Sequence, residues 1–136
     1  MYVTCDFESY SEADLKAVGA WKYWEHPTTL PLMCGFRIAD KVFVWVPDRD
    51  GWGCPPPVLE AIERGAVFDA HAAGFEQAAW QWLVRNKGWP ELPPERWDDT
   101  QARCAALSLP LKLERVGPIL NLQVQKDTVG KSWIQK

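Results

Sequence analysis

The stretch Val3-Thr4-Cys5-Asp6-Phe7-Glu8-Ser9 is typical of a first β-strand, and it carries two acids two positions apart. Side chains at positions i and i+2 of a strand point to the same face of the sheet. Asp6 and Glu8 are therefore expected to face one way, and the apolar residues that alternate with them the other. Two carboxylates on one face suit a divalent metal ion. They equally suit a strand that runs into a turn with two solvated acids, so the rest of the chain has to decide.

The composition is that of one globular domain, which we expect to span residues 1–136. The chain is 47% hydrophobic and 24% charged, which is enough apolar material for a real core. No apolar run has the length of a membrane span, and the N-terminus lacks a basic segment followed by an apolar one. We therefore expect no membrane association and a cytoplasmic location. The net charge of −3 is no whole-chain sign of nucleic-acid binding, although a local groove suffices for an enzyme of strand ends.

Cysteines and tryptophans say less about function. The four cysteines are far apart without a Cys-x-x-Cys pair, so reduced thiols are expected rather than a zinc site or disulfides. The chain has nine tryptophans, and most of them are expected in the core or at its rim, because indole buries much apolar area. A few are candidates for stacking on nucleic-acid bases.

Hydrophobic patterning predicts a compact α/β domain. A strand is expected at 2–7, and the apolar runs 32–38 and 42–46 around a polar turn predict a β-hairpin, which gives an antiparallel three-strand start to the sheet. The other predicted elements are a helical turn at 14–18, a loop at 48–57, a helix at 58–64, a strand at 66–70, a helix from 75 to 87, and a helix at 111–122 bent at Gly117-Pro118.

Three segments, taken in order, resemble a known enzyme family. They are Asp6-Phe7-Glu8 on strand one, AHAAGFEQAAW at 70–80, and WDDT at 97–100. Together they are similar to the 3′→5′ exonuclease domain of bacteriophage family A DNA polymerases, a DEDD exonuclease with a ribonuclease H-like fold. Weaker matches follow at Asp14-Leu15, Val18-Gly19, His26-Pro27, Leu107-Ser108-Leu109-Pro110, Lys126-Asp127 and Gly130-Lys131. The resemblance implies an α/β ribonuclease H-like fold, with a mixed sheet flanked by helices.

The resemblance also implies a chemistry and a set of ligands. DEDD exonucleases hydrolyse single-stranded DNA from its 3′ end with two Mg²⁺ or Mn²⁺ ions, which activate a water and stabilise the departing oxygen. By this resemblance Asp6 bridges the two ions. Glu8 binds one ion and helps to hold the terminal nucleotide. Glu76 takes the place of the usual aspartate of the second motif.

The second motif departs from the family pattern, and its neighbours have weaker roles. Ala72 replaces the usual amide residue. His71 and Phe75 are supporting candidates, with His71 expected to be structural rather than a base. Asp99 is expected to organise the fold near the site and to cap a helix. Without the motif order, Glu76 is equally a solvated acid in the first turn of a helix, where the helix dipole favours it.

The third motif of the family, Tyr-x-x-x-Asp or His-x-x-x-x-Asp, is missing from these residues. It supplies a fourth metal ligand and a side chain that orients water. No tyrosine follows Tyr23, and no histidine follows His71. The 136 residues are therefore expected to be an incomplete, C-terminally truncated exonuclease-like domain.

Three accounts of function remain open. The chain is one piece of a split polymerase whose partner chain completes the site, or a reduced nuclease that acts alone, or a degenerate module that binds DNA or protein without catalysis. Docking of a partner or homo-oligomerisation is expected at a C-terminal apolar surface. The residues of this surface are Val116, Ile119, Leu120, Val129, Trp133 and Ile134.

Overall fold

A computed structural model describes residues 1–126. The chain divides into two compact units, Met1–Asp99 and Thr100–Lys136. Several residues with predicted roles lie outside the described range, namely Asp127, Val129, Gly130, Lys131, Trp133 and Ile134.

The first unit is built on a five-stranded mixed sheet in the order β3-β2-β1-β4-β5. The neighbours β1–β2 and β2–β3 are antiparallel, whereas β1–β4 and β4–β5 are parallel. The strands are β1 Tyr2–Tyr10, β2 Leu30–Ile38, β3 Lys41–Trp45, β4 Val67–Ala70 and β5 Trp97–Asp99. The predicted mixed sheet with an antiparallel three-strand start is confirmed, and its arrangement is compatible with a ribonuclease H-like fold.

Helices flank the sheet, and most of them match the predicted positions. The helices of the first unit are α1 Leu15–Val18, α2 Ala20–Glu25, α3 Pro47–Asp50, α4 Pro56–Glu63 and α5 Gly74–Lys87. Two predictions need correction. The loop expected at 48–57 holds most of α3 and the start of α4, because a proline at the first position of a helix is well tolerated. Helix α2 lies in a stretch with no predicted helix, and it is anchored by the burial of Tyr23 and Trp24.

Helix α5 positions the second motif, and its ends follow from local sequence. Gly88 adopts a left-handed conformation with φ 70° and ends the helix, as glycine commonly does. Arg85 and Lys87 lie in the last turn and Glu76 in the first, which is the charge order that the helix dipole favours. Ala78, Ala79, Trp80 and Leu83 form the buried side.

The core lies on the face of the sheet that packs against α2 and α5, and it is rich in tryptophan. Trp24, Trp45, Trp80 and Trp89 are buried. Trp45 and Trp80 each contact the ring of Trp89, at 4.9 Å between centroids. The prediction of a tryptophan core is confirmed for these four residues. Trp21 is different, because half of its surface, 50%, is exposed.

The described part of the second unit contains α6 Thr100–Ala106 and α7 Leu113–Ile119. The helix predicted at 111–122 is shorter than expected, and it holds Pro118 in its last turn. Val116 was expected on an exposed apolar surface, but it is buried at 2% exposure, whereas Ile119 and Leu120 are exposed. Over residues 1–126, no helix has the length and apolar character to cross a membrane.

Candidate functional site

Strand β1 separates acids from core. Val3, Cys5 and Phe7 are buried, whereas Asp6 and Glu8 are exposed. The prediction that the two acids share one face is therefore confirmed. Neither acid is crowded by a large charged side chain across the antiparallel pair, since Asp6 lies opposite Gly35 and Glu8 opposite Met33.

The end of β4 brings a third acid to this strand. Strand β4 pairs with β1 only from Tyr2 to Thr4, so β1 extends beyond its parallel neighbour. The chain leaves β4 at Ala70, turns, and enters α5 at Gly74. Two residues into that helix, Glu76 receives a hydrogen bond from the main-chain amide of Phe7. The first and second motifs are thus neighbours in space as well as in the predicted order.

Glu76 is a buried acid in an unusual state. It is only 5% exposed, and its Oε2 has no hydrogen-bond partner among the described residues. The pKa of Glu76 is raised to about 7. Burial is the main cause, and the charges of Asp6 and Asp99 act in the same direction, against the opposing effect of the amides of Glu76 and Phe7. The alternative interpretation, a solvated acid at a helix N-terminus, is wrong for this residue.

Asp99 holds the loop that leads into α5. It ends strand β5, and its Oδ1 accepts a hydrogen bond from the main-chain amide of Ala72 at 3.0 Å. Ala72 has a φ of 65°, a left-handed conformation that costs a residue with a Cβ roughly 1–2 kcal/mol. This bond ties the end of β5 to the loop, and the supporting role of Asp99 in the site stays a prediction.

The two remaining supporting candidates occupy different environments. Phe75 is half-buried, and its ring lies 5.8 Å from Tyr23 and 5.4 Å from Trp24. It therefore fixes the first turn of α5 against α2. His71 lies partly exposed in the turn between β4 and α5, and its expected structural role stays a prediction.

Asp69 is a candidate that sequence patterning missed, because the face of β4 that carries it could not be assigned. The sheet register aligns Asp69 with Thr4 on one side and with Asp98 on the other. Thr4 precedes Asp6 by two positions, so Asp69 shares the face of Asp6. The Oδ1 of Asp69 is buried without a hydrogen-bond partner among the described residues.

The acids lie near one another, but they do not form a complete set of metal ligands. Within residues 1–126, no group of three or more His, Cys, Asp or Glu side chains is arranged to hold a metal ion. A divalent cation nevertheless fits the chemistry of Glu76. A buried carboxylate oxygen without a proton donor, repelled by the charge of Asp6, is satisfied by a hard cation that prefers oxygen ligands. Asp6, Glu8 and Glu76 are the residues that could hold it.

The acids near β1 also affect the pKa of a neighbouring cysteine. All four cysteines of the chain are free thiols. Burial raises the pKa of the Cys5 thiol well above its usual value, and the charges of Glu76, Asp6 and Asp69 add to this rise. Cys5 therefore stays protonated beside the acids and is not a candidate nucleophile or metal ligand.

A roomy cavity elsewhere lacks comparable chemistry. It has a volume of about 460 Å³ and is lined by Phe43, Trp45 and the prolines at 55–57, with Arg49 and Asp50 at its wall. The two charged side chains neutralise each other in an ion pair of 2.8 Å. We therefore place the candidate site at the acids of β1 and α5.

Comparison with known proteins points to a phage polymerase. No protein-family model matches the chain. A DNA polymerase of Bacillus phage SP02 is 28% identical over 134 residues, which make up 98% of this chain and 20% of that polymerase. The chain thus spans about a fifth of the length of the curated relative that it matches. Along nearly its whole length, the chain is thus similar to part of a phage DNA polymerase.

Proposed function

We propose that the chain is a metal-dependent 3′→5′ exonuclease-like domain with a ribonuclease H-like fold, which hydrolyses nucleotides from the 3′ ends of DNA. The sheet order and the similarity to a phage DNA polymerase support this proposal. The observation that carries it is the buried Glu76 carboxylate beside the charge of Asp6, with one oxygen lacking a hydrogen-bond donor among the described residues.

Three carboxylates are proposed to hold the metal ions. Asp6 and Glu8 present carboxylates on the open face of β1, and Glu76 presents one from the first turn of α5. When bound, Mg²⁺ or Mn²⁺ would supply a nucleophilic hydroxide at neutral pH and stabilise the leaving oxygen. The chain's own part is to hold these oxygens in place. The amide of Phe7 and the contact of Phe75 with Tyr23 and Trp24 position Glu76 for that role.

The proposal includes completion of the site by a second segment. Three carboxylates leave a two-ion centre short of ligands, and a group that orients the attacking water is also required. We assign both to a segment carrying a Tyr-x-x-x-Asp or His-x-x-x-x-Asp motif, such as a partner chain. Full activity is then expected only when that segment is supplied.

The test is cleavage of a 5′-labelled DNA single strand with Mn²⁺ or Mg²⁺, alone and with the polymerase segment that carries the third motif. We expect a ladder that shortens from the 3′ end and disappears in Asp6→Asn/Glu8→Gln. Asp40→Asn is the matched control, because Asp40 is an exposed acid in the β2–β3 turn. Cleavage that persists in Asp6→Asn/Glu8→Gln would rule out the metal-nuclease assignment.

A second candidate function is a non-catalytic DNA-binding or protein-interaction module. It is favoured by the absence, within residues 1–126, of three ligands arranged around one point. The two functions differ in the effect of metal. A nuclease site binds Mn²⁺ through Asp6 and Glu76, whereas a degenerate module binds DNA equally well in EDTA and shows no cleavage with any added segment.

A further inference from the structure

Two cavities meet at Arg85 on the surface formed by α2 and α5. The first has a volume of about 250 Å³ and is lined by Trp21 of α2, Gln77, Gln81 and Arg85 of α5, and Trp97 of β5. Trp21 is 50% exposed, so it presents an indole to solvent instead of packing it in the core. Gln77, Gln81 and Arg85 are four residues apart and form one stripe along the helix.

The second cavity, of about 350 Å³, is rich in hydrogen-bond donors. Its lining includes Trp24, His26, Arg85 and Asn86. Trp24 is 1% exposed, and its indole N–H has no acceptor among the described residues. A buried donor without an acceptor is unfavourable, and the indole of Trp24 belongs to the wall of this cavity.

The other buried tryptophans show that this vacant donor is unusual. The indole N–H groups of Trp45, Trp80 and Trp89 donate to the carbonyl oxygens of Gly51, Pro90 and Trp52, at 2.8–3.0 Å. Packing on this face of the sheet therefore does not prevent an indole from finding an acceptor. Trp24 is the exception among these four buried tryptophans.

His26 contributes a second donor. Its Nδ1 accepts a hydrogen bond from the main-chain amide of Thr28 at 3.3 Å. In a neutral imidazole, one ring nitrogen accepts and the other carries the proton. With Nδ1 accepting from this amide, the Nε2 of His26 carries the N–H and is a donor.

We propose that a DNA single strand crosses this surface, with one base stacked on Trp21 and a neighbouring phosphate held by His26 and Arg85. An exposed indole beside a cation is the combination that binds single strands without sequence preference. Arg85 lies nine residues after Glu76, which is roughly 13 Å along the helix axis and about half a turn around it. The inference rests on the proposed function for taking DNA as the ligand.

One acid makes the proposal unusually easy to test. Glu25 also lines the second cavity, and its carboxylate repels a phosphate there. Removing that charge with Glu25→Gln is expected to tighten binding, whereas most substitutions in a binding surface weaken it. A variant that gains affinity cannot be explained by damage to the fold.

The experiment measures the affinity of a fluorescein-labelled oligo-dT 12-mer by anisotropy, in EDTA so that no cleavage occurs. We expect Trp21→Ala to weaken binding about tenfold and Trp21→Phe to retain most of the affinity, because stacking needs only an aromatic face. Arg85→Gln is expected to weaken binding several-fold and to reduce the salt slope by about 0.7. Arg64→Gln is the matched control, since Arg64 is an exposed helix-associated arginine paired with Glu60.

The results separate this surface from the proposed nuclease. Three results would refute the proposed DNA-binding surface. The wild type does not bind the oligonucleotide, or Trp21→Ala and Arg85→Gln bind it as well as the wild type does, or Arg64→Gln loses as much affinity as they do. Binding that depends on Trp21 and Arg85, without any metal-dependent cleavage, would uphold the surface and count only against the nuclease. If cleavage requires Asp6 but Trp21→Ala and Arg85→Gln keep full affinity, the proposed nuclease function stands and the proposed DNA-binding surface is refuted.

Discussion

Replacing Glu76 with glutamine should stabilise the protein without metal at alkaline pH. Glu76 is 5% exposed, and its pKa is raised from 4.5 to about 7, chiefly by burial. Because the pKa is higher in the folded state, the native protein holds its proton longer than the unfolded chain does. Stability is therefore lost as the pH rises from 4.5 to about 7.

The size of the effect follows from that difference. At about 1.4 kcal/mol per pKa unit, full ionisation of Glu76 costs about 3 kcal/mol. The advantage of Glu76→Gln over wild type should then grow from under about 0.5 kcal/mol at pH 4.5 to about 3 kcal/mol at pH 8. For a chain of this size, that is about 10 °C in Tm.

The assay is urea unfolding followed by tryptophan fluorescence at pH 4.5 and pH 8, on either side of the isoelectric point near 5.4, where solubility is lowest. Glu63→Gln is the matched control, because Glu63 is an exposed acid on α4. An advantage of Glu76→Gln that stays constant across this pH range would refute the burial argument. Mg²⁺ at pH 8 should stabilise wild type more than Glu76→Gln, since bound ligand stabilises the state that binds it.

Three further outcomes are expected around the same site. Ala72→Gly should raise the free energy of unfolding by about 1 kcal/mol, as measured by urea titration, because glycine adopts the left-handed conformation without a steric cost. Asp99→Asn keeps an oxygen for the amide of Ala72 and removes a charge, so it should lower the pKa of Glu76, as followed by carboxyl ¹³C NMR. Cys5 and Cys34 should resist a thiol reagent at pH 8 in the native protein and react in urea, because burial raises both pKa values well above normal.

The sheet was largely predictable from sequence, because its strands carry period-two patterns and clear turns. The alternation of β1 and the hairpin of β2 and β3 were set by local residues alone. The three-residue strand β5 was not, because it is too short to show a period and depends on pairing with β4. Helix α2 was missed for the same kind of reason, since its stability comes from packing of Tyr23 and Trp24 rather than from its own sequence.

The site was predictable in part. The same-face pair Asp6 and Glu8 followed from strand geometry, and the place of Glu76 followed from motif order. The burial of Glu76 did not, because an acid in the first turn of a helix is usually solvated, whereas here it is 5% exposed and bonded to the amide of Phe7 in β1. The side of Asp69 likewise required the register of a neighbouring strand.

Strand β1 has a consequence for how such a protein can change over time. Its odd positions hold the core, and its even positions hold the acids, so shape and chemistry are carried by different side chains of one strand. Substituting an acid leaves the core intact. Inserting or deleting one residue exchanges the two faces of the strand, so both the core packing and the arrangement of the acids are lost. The two carboxylates can therefore be lost from a protein that still folds, so a shared fold alone does not show that a relative keeps them.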